Sequence, residues 1–223
     1  MHQLAVYDMD KTLTYAPTWT PFLVATARAN APWRLALFPI VAVAGLGYTL
    51  RLMGRARLKE IAQRLLLGGN MTEADATRAA NRFAATVAES GVYAGARDQI
   101  AADRAAGYRI VMATASYGFY AEAIAEQLGF DAVIATGVVR ENGRVRARID
   151  GENCYGPAKL RMIEAWMAGQ GIARDDAVIR FYSDHASDAP ALEWADVGIA
   201  VNPHPPLRAM AALRGWAVED WKR

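Results

Sequence analysis

Two acidic residues two positions apart are the first feature of the sequence that could support chemistry. Asp8 and Asp10 stand in the pentapeptide Asp-Met-Asp-Lys-Thr, directly after the apolar run 4–7. In a loop, carboxylates at this spacing can face one ligand, the first as a nucleophile or metal ligand and the second as a general acid. A polar turn is the alternative. A calcium-binding loop is excluded, because its sixth and twelfth positions must be Gly and Glu, and here they are Leu13 and Trp19.

A second pair of carboxylates follows another apolar run further along the chain. Asp184 and Asp188 stand in the segment Ser-Asp-His-Ala-Ser-Asp. If the two pairs converge, four carboxylates repel one another unless a cation lies among them. A site made of oxygen ligands suits Mg²⁺, so the sequence predicts a magnesium site where the pairs meet. The alternative is that Ser187 or Asp188 caps a helix.

Two further residues could bind a phosphate. Thr114 ends the apolar run 108–113, and a hydroxyl with free N–H groups ahead of a helix can hold phosphate oxygens. Lys159 stands near the start of a predicted helix, and a lysine directed into an acidic pocket neutralises charge and holds a phosphoryl oxygen. The alternatives are a threonine that only caps a helix and a lysine that only faces solvent.

Five short apolar runs that end in polar residues predict buried parallel strands. They are residues 4–7, 108–113, 131–135, 177–182 and 197–201. Helical patterns alternate with them at residues 93–106, 117–128, 157–168, 186–194 and 206–214. This alternation predicts an α/β fold, a Rossmann-like doubly wound parallel sheet. Asn142 and Gly143 predict a small β-hairpin that joins residues 138–140 to residues 144–149.

The alternation is broken between residues 19 and 91, which contain no convincing strand and predict three or four helices. Because this segment follows the first strand, it lies at the carboxyl end of the sheet, where such folds bind ligands. We therefore predict a catalytic core of residues 1–18 and 92–223 and an all-helical cap of residues 19–91. Within the cap, residues 67–70 predict a helix end, and Thr72 with Asp75 predicts the start of the next helix.

The composition excludes several classes of protein. Of 223 residues, 53% are hydrophobic and 22% charged, which excludes a disordered or fibrous protein. The net charge of +2 is low for a nucleic-acid binder, so none is expected as a partner. The single Cys154 excludes an internal disulfide and a multi-cysteine zinc site, and fits a reducing compartment. Charged residues near the N-terminus argue against an export signal, so we expect a cytoplasmic protein.

The order of these motifs resembles the haloacid dehalogenase-like phosphatase superfamily over essentially the whole chain. The motifs are Asp-x-Asp-x-Thr after the first strand, Thr114 after a later strand, an isolated Lys159, and Asp-x-x-x-Asp after a further strand. The segments Tyr-Ser-Asp-His-Ala-Ser-Asp and Ala-Val-Asn-Pro are similar to the subgroup that includes phosphoserine phosphatase. The helical insertion is similar to the first cap class of the family.

This resemblance implies an enzyme that hydrolyses phosphomonoesters with Mg²⁺. Asp8 would attack phosphorus and form an aspartyl-phosphate, and Asp10 would protonate the leaving oxygen and then activate water. The metal would be held by the Asp8 carboxylate, the Asp10 carbonyl, Asp184 and, in support, Asp188. The phosphoryl oxygens would be bound by Thr114, Ala115 and Lys159. These residue types suit the reaction, because phosphoryl transfer depends on positioning and charge neutralisation.

Substrate choice is expected to lie in the cap. The cap carries nine basic and four acidic residues, so its net charge is +5 and that of the rest is −3. It also contains an uncharged run at residues 35–50, about 24 Å long as a helix and thus shorter than the hydrocarbon core of a membrane. The run is either a buried cap helix or a segment in an anionic membrane interface, between Trp33 with Arg34 and the basic residues from Arg51 to Lys59.

The run and the following Arg55-Ala56-Arg57 are similar to the phosphatidylglycerophosphatase branch of the superfamily. This implies a lipid phosphate substrate and peripheral contact with the inner face of a membrane. Phosphoserine or another small soluble phosphomonoester is the alternative. The chain departs from phosphoserine phosphatases at Pro17, where they have a Glu that holds the substrate amine, and at residues 114–116, where Thr-Ala-Ser replaces Ser-Gly-Gly. A phosphotransferase and a non-catalytic membrane-associated binding module remain as further interpretations.

Overall fold

An eight-stranded sheet organises residues 1–222, which a computed structural model describes. The strands are β1 (His2–Tyr7), β2 (Asn70–Thr72), β3 (Arg109–Tyr117), β4 (Ala132–Glu141), β5 (Arg144–Asp150), β6 (Ala177–Ser183), β7 (Val197–Val201) and β8 (Ala217–Glu219). Their order across the sheet is β2-β5-β4-β3-β1-β6-β7-β8. From β4 to β8 in that order every neighbouring pair is parallel, and β5 pairs antiparallel with both β4 and β2. The predicted α/β fold with a parallel sheet is confirmed.

Helices connect the strands and cover both faces of the sheet. They are α1 (Trp19–Asn30), α2 (Phe38–Thr49), α3 (Arg55–Leu66), α4 (Glu73–Ser90), α5 (Ala94–Ala105), α6 (Gly118–Gln127), α7 (Pro157–Gly169), α8 (Ala189–Trp194) and α9 (Pro205–Arg214). Short 3₁₀ segments are formed by Pro32–Leu37, Arg174–Asp176 and Ala186–Asp188. The helices predicted for the core all form, with ends within a few residues of the expected ones.

The central strand β1 is buried on both faces. Leu4 and Val6 pack in one apolar cluster with Phe181 of β6, whereas Ala5 and Tyr7 pack in a second cluster on the other face. Successive side chains of a strand point to opposite faces, so a strand covered by helices on both sides must be apolar at every position. This is why residues 4–7 are all apolar rather than alternately apolar and polar. Because β1 ends at Tyr7, Asp8 lies at the carboxyl edge of the sheet.

The predicted hairpin is confirmed, but its first arm is longer than expected. The apolar run 131–135 and the arm 138–140 form one continuous strand, β4. Asn142 and Gly143 make the turn with φ angles of 52° and 68°, which glycine and asparagine adopt more readily than other residues. The edge strand β8 was not predicted, because a pattern of three residues carries little signal.

The segment predicted to be an all-helical cap contains a strand as well as α1–α4. Strand β2 pairs antiparallel with β5, with Asn70 opposite Arg146, so the prediction of no strand in this segment is wrong. An unpaired edge of a sheet favours such an addition, and three residues are too few for periodicity to reveal it. The Thr72 hydroxyl accepts the Asp75 N–H at 3.1 Å, which confirms the predicted start of α4. The domain boundaries at residues 18–19 and 91–92 stay a prediction.

Two helices of this segment contact the core in different ways. Helix α4 packs on α6, and its buried residues, such as Ala80 and Phe83, belong to a main apolar cluster of the core. The contacts of α3 with the core include polar ones: the Ile149 N–H donates to Glu60 Oε1 at 3.0 Å, and Gln63 Nε2 donates to the Arg146 carbonyl at 3.4 Å. Apolar contacts therefore anchor α4, and α3 is tied to β5 by hydrogen bonds.

The uncharged run 35–50 is not a buried helix. It is divided between a 3₁₀ segment and α2, and the buried residues of α2 are only Ala44 and Gly47. Apolar side chains of α2 and the residue after it are more than half exposed: Ile40, Val43, Leu46 and Leu50. We call these four residues the α2 apolar face. Among the described residues, no helix is long and apolar enough to cross a membrane.

Candidate active site

An open pocket of about 180 Å³ lies where the carboxyl ends of β1, β3 and β6 meet. Parallel strands end at the same edge of a sheet, which brings together residues far apart in sequence. All the residues for which the sequence suggested a site role line this pocket: Asp8, Asp10, Thr114, Ala115, Lys159, Asp184 and Asp188. The lining is completed by Lys11, Pro17, Arg55, Tyr155, His185 and Ser187. The chemical roles of these residues stay predictions.

A buried lysine joins two of the carboxylates at the base of the pocket. Lys159 Nζ donates to Asp8 Oδ1 at 2.7 Å and to Asp188 Oδ2 at 2.6 Å. Lys159 is only 2% exposed, so the interpretation of a solvent-facing lysine is wrong. Burial alone lowers the pKa of Lys159, but the carboxylates of Asp188 and Asp8 outweigh it and raise this pKa above its usual range. The ammonium is therefore charged and neutralises part of the acidic cluster.

Asp8 is held by a second contact that the sequence did not reveal. The Thr12 hydroxyl donates to Asp8 Oδ2 at 3.1 Å and accepts the Asp184 N–H at 3.0 Å. Lys11, between Asp10 and Thr12, has a φ of 65°. This turns the chain sharply enough for the Thr12 side chain to contact Asp8. One threonine thus ties the loop after β1 to the loop after β6. The Thr of Asp-x-Asp-x-Thr was the available signal, but its residue type alone does not assign a role.

Asp10 is oriented by hydroxyl groups from two other segments. Asp10 Oδ1 accepts the Thr18 N–H at 2.8 Å and the Thr18 hydroxyl at 2.7 Å, and Ser116 Oγ donates to Asp10 Oδ2 at 3.2 Å. Tyr120 donates to Ser116 Oγ at 2.6 Å. Burial raises the pKa of Asp10, although the bonds from Thr18 and Ser116 oppose that shift. A raised pKa suits a general acid that must hold its proton until the leaving group needs it.

The oxygen atoms that line the pocket fit a hard divalent cation. Asp188 Oδ1 is buried without a hydrogen-bond partner, and such an atom favours an additional ligand. Burial and the charges of Asp8 and Asp188 raise the pKa of Asp184 to about 8. Burial raises the pKa of Asp8 to about 6, even though Lys159 opposes this shift. Each of these ionised carboxylates would be stabilised by a nearby cation.

The protein would supply only part of the coordination of such a cation. Within residues 1–222, no three Asp, Glu, His or Cys side chains are gathered into a ready set of ligands. Further oxygens would have to come from backbone carbonyls, phosphate or water. Mg²⁺ usually keeps several waters and binds one or two carboxylates together with substrate phosphate, so the residues present fit this ion.

The Thr114 hydroxyl is available to a ligand. Its oxygen accepts the Ser116 N–H at 3.1 Å, and no oxygen in residues 1–222 accepts its proton in a hydrogen bond. Strand β3 continues to Tyr117, the residue that precedes α6, and Thr114 therefore does not cap this helix. The helix-cap interpretation of Thr114 is wrong, and Thr114 lines the pocket.

A histidine, not Ser187 or Asp188, caps the 3₁₀ turn after β6. His185 Nδ1 accepts the Ser187 N–H at 3.1 Å. The Asp188 carboxylate instead accepts hydrogen bonds from Lys159 and, at 2.8 Å, from Ser183 Oγ. Asp188 stands at the N-cap position of α8, but its side chain accepts no N–H of that helix. The predicted capping bond from Ser187 or Asp188 is therefore not formed. Burial and the neighbouring His204, whose ring stacks 4.2 Å away, lower the pKa of His185. The neutral ring then carries its proton on Nε2.

The helical insertion contributes a cation to the pocket. Arg55, the first residue of α3, lines the pocket, and its guanidinium lies over the Tyr155 ring at 4.4 Å. A stacked guanidinium keeps its donors free to bind an anion at the edge of the ring. The sequence predicts no pocket role for Arg55, because a cluster of arginines in a helix usually faces solvent.

A larger groove of about 560 Å³ lies between α1, α3 and β2. Its charged lining residues are Asp75 and Arg144. Asp75 is already bonded to the Thr72 hydroxyl and paired with Arg78. The groove lacks a cluster of unpaired acids, so chemistry rather than size assigns the candidate site to the smaller pocket.

The chain is similar to a known protein family over most of its length. Residues 5–193 match the model of the haloacid dehalogenase-like hydrolase family. A protein of Mycobacterium tuberculosis strain H37Rv named "probable phosphatase" is 33% identical over 132 residues, which are 59% of this chain and 45% of that protein. The chain thus spans less than half the length of this curated relative.

Two solved structures extend the comparison over the whole chain. A protein of unknown function from Bordetella pertussis Tohama I has a TM-score of 0.88 and 29% identity, and the match covers 99% of both chains. A phospho-aspartyl intermediate analogue of phosphoserine phosphatase has a TM-score of 0.64 and 19% identity, with 100% of this chain and 94% of that chain covered. The second similarity shows a shared fold.

Proposed function

Because the chain belongs to the haloacid dehalogenase-like hydrolase family, we propose that it hydrolyses phosphomonoesters with Mg²⁺ through an aspartyl-phosphate on Asp8. The observation that carries this proposal is the buried contact between Asp8 and Lys159, 2.7 Å long, at the base of an open pocket. A carboxylate held against a lysine can approach a phosphate because the lysine offsets part of the charge repulsion.

The residues divide the reaction between them. The Asp8 carboxylate forms a bond to phosphorus as the bond from phosphorus to the leaving oxygen breaks, and Asp10 gives its proton to that oxygen. In the second step Asp10 takes a proton from water, which attacks the phosphorus and releases Asp8 and inorganic phosphate. Thr114, the Ala115 N–H and Lys159 hold the phosphoryl oxygens. When bound, Mg²⁺ supplies positive charge that further offsets the repulsion between carboxylate and phosphate.

Phosphate release from an aryl phosphate with Mg²⁺ tests this proposal. Asp8→Asn keeps the shape of the side chain but lacks the nucleophilic carboxylate, so we expect a loss of about 10⁴-fold or more in kcat. Acid quenching of the wild type should trap a phosphorylated protein, and the variant should show none. Asp98→Asn, an exposed carboxylate on α5, is the matched control and should keep full activity. Full activity of Asp8→Asn would contradict the mechanism.

A phosphate carried by an anionic lipid is the substrate class that we propose further. The α2 apolar face exposes four side chains, of which Val43 is 69% exposed. Such a surface is unusual on a helix that faces only water. The chain runs from α2 through residues 51–54 to Arg55 in the pocket, so the same segment joins an apolar surface to the site. Exposed Arg51 and Arg57 add positive charge that would favour an anionic membrane, at the inner face of which the protein would act.

A small soluble phosphomonoester, phosphoserine included, is the alternative. A free amino acid requires an acidic partner for its amine. In the described chain, the acidic residues of the lining are the four that cluster at the strand ends, and Pro17 occupies the pocket wall. This composition favours a substrate with further negative charge, which Arg55 could bind.

A substrate panel and a vesicle assay separate these possibilities. The panel contains phosphatidylglycerophosphate in detergent, phosphoserine, sugar phosphates and an aryl phosphate. The paired change Val43→Ser with Leu46→Ser should abolish sedimentation with anionic vesicles and reduce lipid hydrolysis, with aryl phosphate hydrolysis unchanged. Leu213→Ser, on the exposed side of α9, is the matched control. Preference for a soluble ester together with no vesicle binding would contradict the lipid proposal, and no release from any substrate would favour a phosphotransferase or a binding module.

A further inference from the structure

A buried lysine of α3 contacts the peptide group that follows Thr114 in β3, and the proposed mechanism does not use this lysine. Lys59 Nζ donates to the Ala115 carbonyl at 2.6 Å and to Asn153 Oδ1 at 3.1 Å. Its ammonium also lies 4.1 Å from the centre of the Tyr117 ring. Lys59 is 6% exposed, whereas lysines on helices are rarely buried unless they are paired. No carboxylate in residues 1–222 forms an ion pair with it.

The contact with Ala115 continues to the pocket through one peptide unit. The carbonyl of Ala115 and the N–H of Ser116 belong to the same planar group. That N–H donates to Thr114 Oγ1 at 3.1 Å. A hydrogen bond to the carbonyl fixes the orientation of the peptide plane and strengthens the donor on its other side. The chain of contacts therefore runs from Lys59 to the threonine hydroxyl.

We propose that Lys59 is a positioning residue for phosphate, which fixes the Ala115–Ser116 peptide and so keeps the Thr114 hydroxyl ready to donate to a phosphoryl oxygen. The Thr114 oxygen already accepts the Ser116 N–H, and the proton of the hydroxyl is left to donate to a ligand, which matches an oxyanion. Lys59 belongs to the helical insertion and Thr114 to the sheet. The affinity for phosphate therefore depends on contact between the two. This inference rests on the proposed function of Thr114.

The surroundings of Lys59 indicate that packing alone does not explain why a lysine occupies this buried position. Burial lowers its pKa to about 7, and the nearby Arg55 on the same helix lowers it further, whereas Asp10 and Cys154 of the core raise it. Thr136 Oγ1 lies 2.8 Å from the Ala115 carbonyl and 3.1 Å from Asn153 Oδ1, and its single proton can be donated to only one of them. The ammonium of Lys59 has protons for both acceptors. A methionine would fill the space without the unfavourable burial of a charge.

A double-mutant cycle tests the inference. The dissociation constant of inorganic phosphate is measured by calorimetry with Mg²⁺ for the wild type, Lys59→Met, Thr114→Val and the double variant. We expect Lys59→Met to weaken phosphate binding about tenfold, the size of one hydrogen bond to a charged group. The double variant should bind phosphate no more weakly than Thr114→Val, because Lys59 acts through that hydroxyl. The value of kcat/KM for an aryl phosphate should follow the same pattern.

Two controls separate positioning from simple attachment of α3. Arg64→Met, an exposed change on the same helix, should leave phosphate binding unchanged. Asn153→Ala removes the other acceptor of Lys59 and should affect phosphate binding less than Lys59→Met does. If Lys59→Met does not give a cooperative melting transition, Lys59→Gln takes its place in the cycle.

The outcomes distinguish this inference from the proposed function. Additive effects of Lys59→Met and Thr114→Val, or equal effects of Lys59→Met and Asn153→Ala, would mean that Lys59 only attaches α3 to the core. An unchanged dissociation constant in Lys59→Met would also overturn the inference. A wild type that binds no phosphate would contradict the role of Thr114 and thus the proposed function itself.

Discussion

The base of the pocket and the outer surface of α2 depart from ordinary protein structure in opposite ways. At the base of the pocket, the charged groups of Asp8, Lys159 and Asp188 are buried. On α2, Val43 and Leu46 are exposed. Buried charges are stable only when paired, and extended apolar surfaces tend to have a partner. The pocket contains partners for its buried charges, apart from a cation, whereas the described residues leave the apolar side chains of α2 exposed. The pairing of buried charges in the pocket is thus nearly complete within the described residues, and the packing of apolar groups on α2 is not.

The largest combined effect on activity and stability is expected from breaking the charge cluster in the pocket. Lys159→Met leaves the carboxylates of Asp8 and Asp188 buried without their shared cation. We expect a loss of about 10²–10³-fold in kcat, with about 3–5 kcal/mol of unfolding free energy lost near neutral pH. Steady-state kinetics and urea denaturation measure the two effects. Arg161→Met, on an exposed position of the same helix, should change neither by much, and equal stability of the two variants would show that the pair in the pocket is not buried as described.

The next largest effect, on stability, is expected from the buried aromatic residue of α1 in the insertion. Phe22 of α1 is fully buried and stacks on Tyr120 with ring centres 4.5 Å apart. Phe22→Ala should lower the unfolding free energy by about 3–5 kcal/mol, because the cavity cannot be refilled. Urea denaturation with two-state analysis measures this change. A loss below 1 kcal/mol, which is about the scale of surface changes, would mean that α1 belongs with the weakly packed α2 rather than with the core.

A smaller effect is expected from pH and Mg²⁺ at the pocket. The pKa values of Asp8, about 6, and Asp184, about 8, are both raised on folding. A folded state that holds these protons is favoured at low pH, and without metal it loses stability as pH rises through 6 and then 8. Mg²⁺ competes with the protons, so its stabilisation should be larger at pH 8 than at pH 5.5. At 100 times its Kd the ion adds about 2.7 kcal/mol.

Melting curves with and without Mg²⁺ at the two pH values check this prediction. Asp184→Asn should remove most of the Mg²⁺ effect at pH 8, and Asp98→Asn should preserve it. An Mg²⁺ effect that is independent of pH would place the ion away from these carboxylates.

The smallest effect on stability is expected on α2. The paired change Val43→Ser with Leu46→Ser removes apolar groups that already contact water. We expect a change of about 0.5 kcal/mol or less in unfolding free energy per residue, measured by urea denaturation of the protein without vesicles. A loss as large as that of Phe22→Ala would show that α2 is packed against the protein. The contrast between the paired charges of the pocket and the unpacked surface of α2 would then be wrong.

Much of the sheet and the pocket could be predicted from the sequence, because continuous apolar runs mark buried parallel strands and polar residues follow them. That signal placed Asp8, Thr114 and Asp184 at one edge. The contacts that hold these residues were not predictable. Thr18 and Ser116 meet Asp10 only in the folded chain, and serine or threonine in a loop has many ordinary roles. The exposure of α2 was also hidden, since a helix that is apolar on every side has no periodicity to identify its outer face.

Strands of only three residues are also difficult to predict from the sequence. The strands β2 and β8 are formed because an edge of the sheet offers free backbone groups, not because their own residues favour a strand. Lys59 illustrates the same limit for the site. In the sequence it belongs to a basic helix, and only the fold shows that its ammonium is buried.

The contrast between α3 and α4 bears on how a large substrate could enter. Water can replace the hydrogen bonds of Glu60 and Gln63 with β5, whereas exposing Phe83 of α4 would cost apolar burial. Since β2, between the two helices, is joined to the sheet, the insertion cannot swing away as one rigid body. Opening would instead be a local bending with its hinge before β2, in which α2 and α3 lift while α4 stays in place. Amide hydrogen exchange would then be faster in α2 and α3 than in α4.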